Sequence, residues 1–485
     1  MIKKLFLLKK YKKFFDNING KSLDRNQRNA ILNDKDSILV IAGAGSGKTL
    51  TIIGKIKYLI EIKNIDPKAI LCISFTNETT KDLKKSIKKC LKYDIEVKTF
   101  HKLAIKILSI NKITFKLVDD VILLNIIKKQ INNDQKEIER IIYTAINLYK
   151  ASGYIKSLET INNDIQNEKN DLLKKRNKHL FNIFVKCLND YNNYLYEHKE
   201  LDFNDLIYQA SLLVNEKYYP KYQYIIIDEF QDTSYIRYLL IKNLKERNNC
   251  HLFCVGDDYQ SIYKFTGCSL DIFLKFETFF KKSKILKIKN TYRNSQELID
   301  IAGKFIKKNP FQIKKKLKSI KKLKKPIIIY LYEKEEEIDL LLNYIGKKEI
   351  LLLYRNNNDI EYLKENYDMN GKYLNYNGKN IKHLTVHKSK GLESDTIIIY
   401  KVNDEKIGFP NKINDDHFLN YIKEIDQYEY EEERRLFYVA LTRSKEEVYL
   451  FVNKYKKSVF IKELIKENKK NIKILSKEQI TNIVK

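Results

Sequence analysis

Ser37-Ile38-Leu39-Val40-Ile41-Ala42-Gly43-Ala44-Gly45-Ser46-Gly47-Lys48-Thr49 decides the fold class of this 485-residue chain. Ser37 to Ile41 reads as a buried strand, and a glycine-rich loop then opens a helix, the setting in which backbone N–H groups receive phosphate. In that setting Gly43, Ala44, Gly45, Ser46 and Gly47 cradle phosphate oxygens, Lys48 reaches the outer phosphates, and the Thr49 hydroxyl ligates Mg²⁺. Ala42 stands where the strict pattern begins with Gly. A second apolar run, Ile225-Ile226-Ile227, ends in Asp228 and Glu229. Its two carboxylates supply the other half of such a site, Asp228 holding Mg²⁺ through water and Glu229 polarising an attacking water as general base.

Outward from these strands, apolar runs recur at Ala69 to Ser74, His251 to Val255, Lys284 to Ile288, Ile327 to Leu331, Ile350 to Leu353 and Thr396 to Tyr400. Stretches of helical periodicity separate them, which predicts an α/β fold with mostly parallel sheets. Between His101 and Leu201 the alternation stops, and Lys, Asn, Leu and Ile at helical spacing predict a helical insertion of domain size. Lys314 to Lys325 holds eight lysines in twelve residues. It reads as a solvated linker or exposed helix, with a patch for a phosphate backbone as the alternative.

Composition narrows the partners. Lys plus Arg number 92 against 62 Asp plus Glu, a formal charge of +30, which points to a polyanion bound through its phosphates. Only 11 of those 92 cations are Arg, Trp is absent, and Lys abounds, so part of the charge reflects AT-rich coding. Hydrophobic residues make up 43% of the chain, which excludes a largely disordered protein. The six scattered cysteines read as reduced core thiols. The start, Met1 to Lys10, is basic and then apolar over too short a stretch for a secretion signal, and nothing resembles a membrane span. The expectation is a cytoplasmic protein, in a bacterium near the nucleoid or in a host cell under viral direction, with no membrane partner.

Further motifs then fall in order. Asp228-Glu229-Phe230-Gln231-Asp232 resembles the second motif of superfamily 1 DNA helicases of the UvrD/Rep type. Leu23 to Ala30 resembles that family's adenine-reading motif, with Gln27 on the base. Ser74-Phe75-Thr76-Asn77 and Thr99-Phe100-His101 resemble its strand-contacting motifs Ia and Ib. Val255 to Tyr263 resembles motif III, with Gln260 sensing the γ-phosphate and nearby aromatics stacking on bases. Asn290-Thr291-Tyr292-Arg293 resembles motif IV, with Tyr292 against adenine and Arg293 on the γ-phosphate. Thr385 to Glu393 resembles motif V, with His387 and Lys390 facing DNA and Glu393 the nucleotide sugar. Glu433 to Arg443 resembles motif VI, with Arg443 as a second arginine finger. The wording is most similar to the helicase IV branch, without its extra N-terminal domain, since 22 residues precede the first motif.

The resemblance implies two RecA-like P-loop motor domains: residues 1–102 and 206–280 form the first, 103–205 the helical insertion and 281–485 the second. The family's accessory domain is expected to be absent or vestigial near 356–380. Also implied are ATP and Mg²⁺ as cofactors, single-stranded and tailed duplex DNA as partners, 3′ to 5′ movement, and a place in repair, replication or recombination. An alternative is a DNA-stimulated translocase or protein-displacing factor that needs a protein partner to unwind. Phe265 stands where many relatives carry Trp, and a Phe face still stacks on a base. Ser86 replaces the Arg that usually closes motif Ia, so that contact is either missing or supplied by Lys84 or Lys85. Arg293 and Arg443 read as fingers because a guanidinium fork suits phosphate as ammonium does not, whereas Arg434 and Arg435, among several Glu, read as structural pairs.

Overall fold

The computed structural model describes residues 2–131, 135–217, 219–346 and 348–484. Met1 lies outside them. Two main sheets organise the described residues. In the first, six parallel strands run in the order Glu96–Lys98, Ile70–Ile73, Tyr224–Ile227, His251–Gly256, Ser37–Ala42 and Ser283–Ile288. The strand before the phosphate loop is buried at all six positions because His251–Gly256 and Ser283–Ile288 flank it and helices cover both faces. Such two-sided burial explains its unbroken apolar sequence.

The second sheet has the order Met369–Asn370, Tyr373–Tyr376, Lys379–Thr385, Ile350–Tyr354, Ser394–Tyr400, Ser444–Asn453, Ile327–Tyr332 and Ile472–Leu475. It is parallel except for the antiparallel pairings of the first three strands. Residues 356–380, where an accessory domain was expected to be absent or vestigial, hold the short helix Glu361–Asn366 and the start of that antiparallel edge. Two α/β units, each with its own buried cores, therefore face one another.

The expected boundaries shift at three places. Ser283–Ile288, assigned by sequence to the second unit, pairs with Ser37–Ala42 and closes the first sheet. The helix Phe100–Ile110 buries Leu103, Ala104, Ile107 and Leu108 in the first unit's core, so the helical insertion starts later than 103. Phe203–Glu216 packs into the same core, through Leu206, Ile207 and Ala210. The insertion's own core runs from Leu123 to Leu195 and takes in Phe418, Leu419 and Ile422 from the second half of the chain. Arg176 fixes that arm with two bonds to Asp416 at 3.0 and 2.6 Å.

All six cysteines are free, and Cys250 and Cys254 are buried. Among the described residues no helix is long and apolar enough to cross a membrane.

Candidate active site

The phosphate loop lies at the mouth of a cleft of about 730 Å³ between the two units. Gly45 (φ +67°) and Gly47 (φ +77°) take left-handed conformations, and each sits where a side chain has no room. A Cβ on Gly45 would lie 2.5 Å from the Cβ of Arg293, and one on Gly47 would lie 2.7 Å from Nε2 of Gln27. Ser46 points a buried hydroxyl oxygen that has no hydrogen-bond partner. Thr49, in the first turn of the helix Lys48–Glu61, is exposed to the cleft.

Lys48 donates to Glu229 Oε2 at 2.9 Å. Glu229 itself sits at φ +51°, a conformation that non-glycine residues adopt at a cost and that clusters at functional sites. Burial pushes its pKa up, but the charges of Lys48 and Lys390 and hydrogen bonds from Gln231 and Lys48 outweigh that and hold it at about 2. Its neighbour behaves oppositely: burial, and then the charge of Glu229, push Asp228 up to about 7. One carboxylate is thus held ionised, and the other is short of positive charge.

The second unit supplies the opposite wall. Tyr292 N–H donates to the Gly45 carbonyl at 2.9 Å, and the Thr291 hydroxyl donates to the Ala44 carbonyl at 2.8 Å. Motif IV is therefore buttoned onto the phosphate loop. Arg293 donates to Glu393 at 2.7 Å and to the Thr442 carbonyl at 3.2 Å. Arg443 is fully buried, and burial, followed by the charge of Arg293, lowers its pKa to about 9. It donates to Gln260 Oε1 at 3.0 Å, while Gln260 Nε2 donates to Asp257 at 2.6 Å. Lys48, Glu229, Gln260, Arg293, Glu393 and Arg443 all line the one cleft. Gln27 also lines it, with its amide engaged by the Ser46 carbonyl (3.1 Å) and the Asp24 N–H (2.8 Å). The Tyr292 hydroxyl donates to Asp24 at 2.9 Å, and its ring is half exposed.

The strand side is aromatic. Phe75 and Tyr263 stack with centroids 5.3 Å apart and planes 14° from parallel. Tyr263 meets Phe265 edge-on, and Phe265 meets His387 edge-on at 5.6 Å, so the row crosses from the first unit to the second. Burial lowers His387 to about 4, which keeps it neutral near pH 7. Thr76 caps the helix Asn77–Cys90 through its hydroxyl, Asn77 is exposed at its first turn, and Lys81, Lys84, Lys85 and Lys88 follow on its exposed face.

Two expected strand contacts fall elsewhere. His101 meets Phe203 rather than the aromatic row. Lys390, expected to face DNA, is buried against Asp232 and donates to the Gln260 carbonyl at 2.8 Å. A carboxylate on the first unit captures it because both are shut away from water. Ser86 lines the same cleft as the phosphate loop. Arg434 pairs with Glu463, and Arg435 with Glu431, as the sequence indicated.

Sequence reasoning missed three groups here. Arg237 lays its guanidinium 4.6 Å from the centre of the Phe75 ring, although a single Arg on a helix carries no local signal. Leu317 covers Gly43, where an added Cβ would lie 2.7 Å from its Cδ1. Lys315 is buried against Asp257 and Asp258. The lysine run read as solvated linker thus includes residues packed inside the molecule.

Residues 23–281 match the UvrD/REP helicase N-terminal domain, and residues 365–455 match the UvrD-like helicase C-terminal domain. The chain belongs to the UvrD/REP helicase family. The two UvrD-type matches fall on the two α/β units whose facing walls form the cleft. DNA helicase IV of Escherichia coli (strain K12) is 28% identical over 501 residues, covering 94% of this chain and 72% of that protein. A probable DNA helicase II homolog of Mycoplasma capricolum is 32% identical, over 69% of this chain and 49% of its own length. ATP-dependent DNA helicase PcrA of Bacillus subtilis is 28% identical, over 74% of this chain and 52% of its own. The chain thus spans about half the length of the latter two UvrD-like relatives.

Proposed function

We propose that the chain is an ATP-dependent DNA helicase that moves 3′ to 5′ on single-stranded DNA and unwinds tailed duplex. One observation carries the reading: Lys48 and Glu229 of the first unit share a cleft with Arg293 and Arg443 of the second. A triphosphate bound there touches both units, so its binding and hydrolysis change how they are held together. Lys48 and the two fingers already face the space, each paired with a protein group that phosphate oxygens can replace. Glu229, released from Lys48, is the base that takes a proton from water.

Mg²⁺ fits the residues present. Asp228 follows the strand Tyr224–Ile227 with its carboxyl pushed up by burial and by the charge of Glu229, which a cation would relieve, and Ser46 and Thr49 of the phosphate loop offer hydroxyls at the cleft. Among the described residues no group of three or more His, Cys, Asp or Glu stands where it could hold a metal ion by itself. Held by Thr49 and Asp228, Mg²⁺ would neutralise charge on the outer phosphates. The aromatic row and the exposed lysines of Asn77–Cys90 suit a single strand, by stacking that tolerates any base and by charge that follows the backbone.

The short 356–380 segment favours a second reading, a translocase or protein-displacing factor that unwinds only with a protein partner. Strand displacement on 3′-tailed and 5′-tailed duplexes decides between them. Unwinding of the 3′-tailed substrate alone supports the helicase. DNA-stimulated hydrolysis without unwinding supports the partner-dependent motor, and unwinding from the 5′ tail contradicts the assigned direction.

A further inference from the structure

We infer that Lys315, in the lysine-rich connection, is a positioning residue that sets the γ-phosphate sensor Gln260. The inference rests on the ATPase reading above. After the helix Gln296–Ile306 the chain leaves the second unit, crosses motif III and the phosphate loop of the first, and returns at Ile327–Tyr332. At the crossing Lys315 bonds Asp257 and Asp258, two adjacent carboxylates with no exposed side-chain surface, and its own side chain is 5% exposed. Its ammonium also lies 3.6 Å from the centre of the Tyr259 ring.

The backbone beside it grips the same loop. Ile313 N–H donates to Asp258 at 2.8 Å, and the Tyr259 hydroxyl donates to the Ile313 carbonyl at 2.9 Å. Two carboxylates side by side in the interior require a cation, and Lys315 supplies it.

Asp257 has a second task. Its other oxygen accepts from Gln260 Nε2 at 2.6 Å, which turns Gln260 Oε1 toward Arg443. Its N–H donates to Gln231 Oε1 at 2.9 Å, and Gln231 donates to Glu229 at 2.7 Å. From Lys315 an unbroken series of polar contacts therefore runs through Asp257 to both the sensor and the base. Without the ammonium, Asp257 and Asp258 repel, and the carboxylate that orients the Gln260 amide loses its place. The connection between units is thereby part of the catalytic apparatus. The seven other lysines of Lys314 to Lys325 take no part in this contact.

The test compares ADP with the β,γ-imido analogue of ATP by calorimetry, in wild type, Lys315→Met and Lys315→Arg, with kcat measured alongside. Lys315→Met is expected to lose about tenfold of the preference for the analogue over ADP, keep its ADP affinity, and lose about 10²-fold in kcat through misplacement of the sensor. Lys315→Arg, which restores the charge, is expected to recover part of both. The double variant Lys315→Met/Asp258→Asn removes one of the two repelling carboxylates and should recover part of what Lys315→Met loses; if Lys315→Met misfolds, Lys315→Arg is read against wild type and should show a smaller loss. An unchanged preference in folded Lys315→Met, or in Lys315→Arg where Lys315→Met misfolds, overturns the inference, whatever happens to kcat. Wild type that binds neither nucleotide overturns instead the ATPase reading beneath it.

Discussion

The phosphate-loop cleft and the aromatic row lie on the same boundary between the two units and are built from opposite materials. In the cleft, charged groups from one unit meet polar groups of their own wall or the facing one: Lys48 with Glu229, Arg293 with Glu393, Arg443 with Gln260. In the row, rings meet rings, from Phe75 through Tyr263 and Phe265 to His387. Charge-assisted contacts are directional and lose much when displaced, whereas stacking tolerates sliding and any base. A motor needs both, one site that is exacting about its phosphate and another that lets a strand of any sequence pass.

Substitutions on either side should break this contrast to different depths. Arg293→Ala removes the guanidinium that faces the cleft beside Glu393, and hydrolysis with DNA present should fall by about 10³-fold or more in steady-state assays. Glu229→Gln keeps the shape and removes the base; kcat should fall by about 10²- to 10⁴-fold while nucleotide still binds, as a fluorescent-nucleotide titration would report. On the aromatic row the effects are smaller. Phe75→Ala or Phe265→Ala should each weaken binding of a single-stranded oligonucleotide by about 1–3 kcal/mol, measured by anisotropy, with little dependence on base sequence. Affinity for that strand should also fall steeply with added salt, whereas nucleotide affinity should change less. The smallest effect belongs to neither face: Arg176→Ala, at a half-exposed pair with Asp416, should cost about 1 kcal/mol or less in denaturant unfolding.

The sequence made the cleft legible and left much of its support hidden. Ser37–Ala42 and Tyr224–Ile227 were readable because strands buried on both faces must be apolar throughout, and the phosphate loop and acidic pair sit at their ends. Glu96–Lys98 and Lys379–Thr385 were not readable, since they are partly exposed and carry Glu, Lys and Asn. Ser444–Asn453 escaped because its first half is polar, although its second half crosses the core. Ser283–Ile288 reads as a strand from its own residues, but its place beside Ser37–Ala42 does not, because an edge strand's partner lies far away in sequence.

Lys315 and Lys390 show the same limit at single residues. Nothing beside Lys315 separates it from seven neighbouring lysines; only Asp257 and Asp258, folded against it, assign its place. Lys390 had a motif position that suggested DNA, yet Asp232 takes it into the interior. Phe418 and Leu419 stand in a polar stretch and still complete the core of a distant helical unit. Motifs record groups that meet ligands, while groups that meet other parts of the chain depend on tertiary partners that local pattern does not carry.

The most direct test of a motor whose two units share one nucleotide is steady-state ATP hydrolysis with and without single-stranded DNA, on wild type beside Glu229→Gln. The account predicts strong stimulation by the strand in wild type and near-complete loss in the variant. Hydrolysis indifferent to DNA, or surviving in the variant, would contradict it.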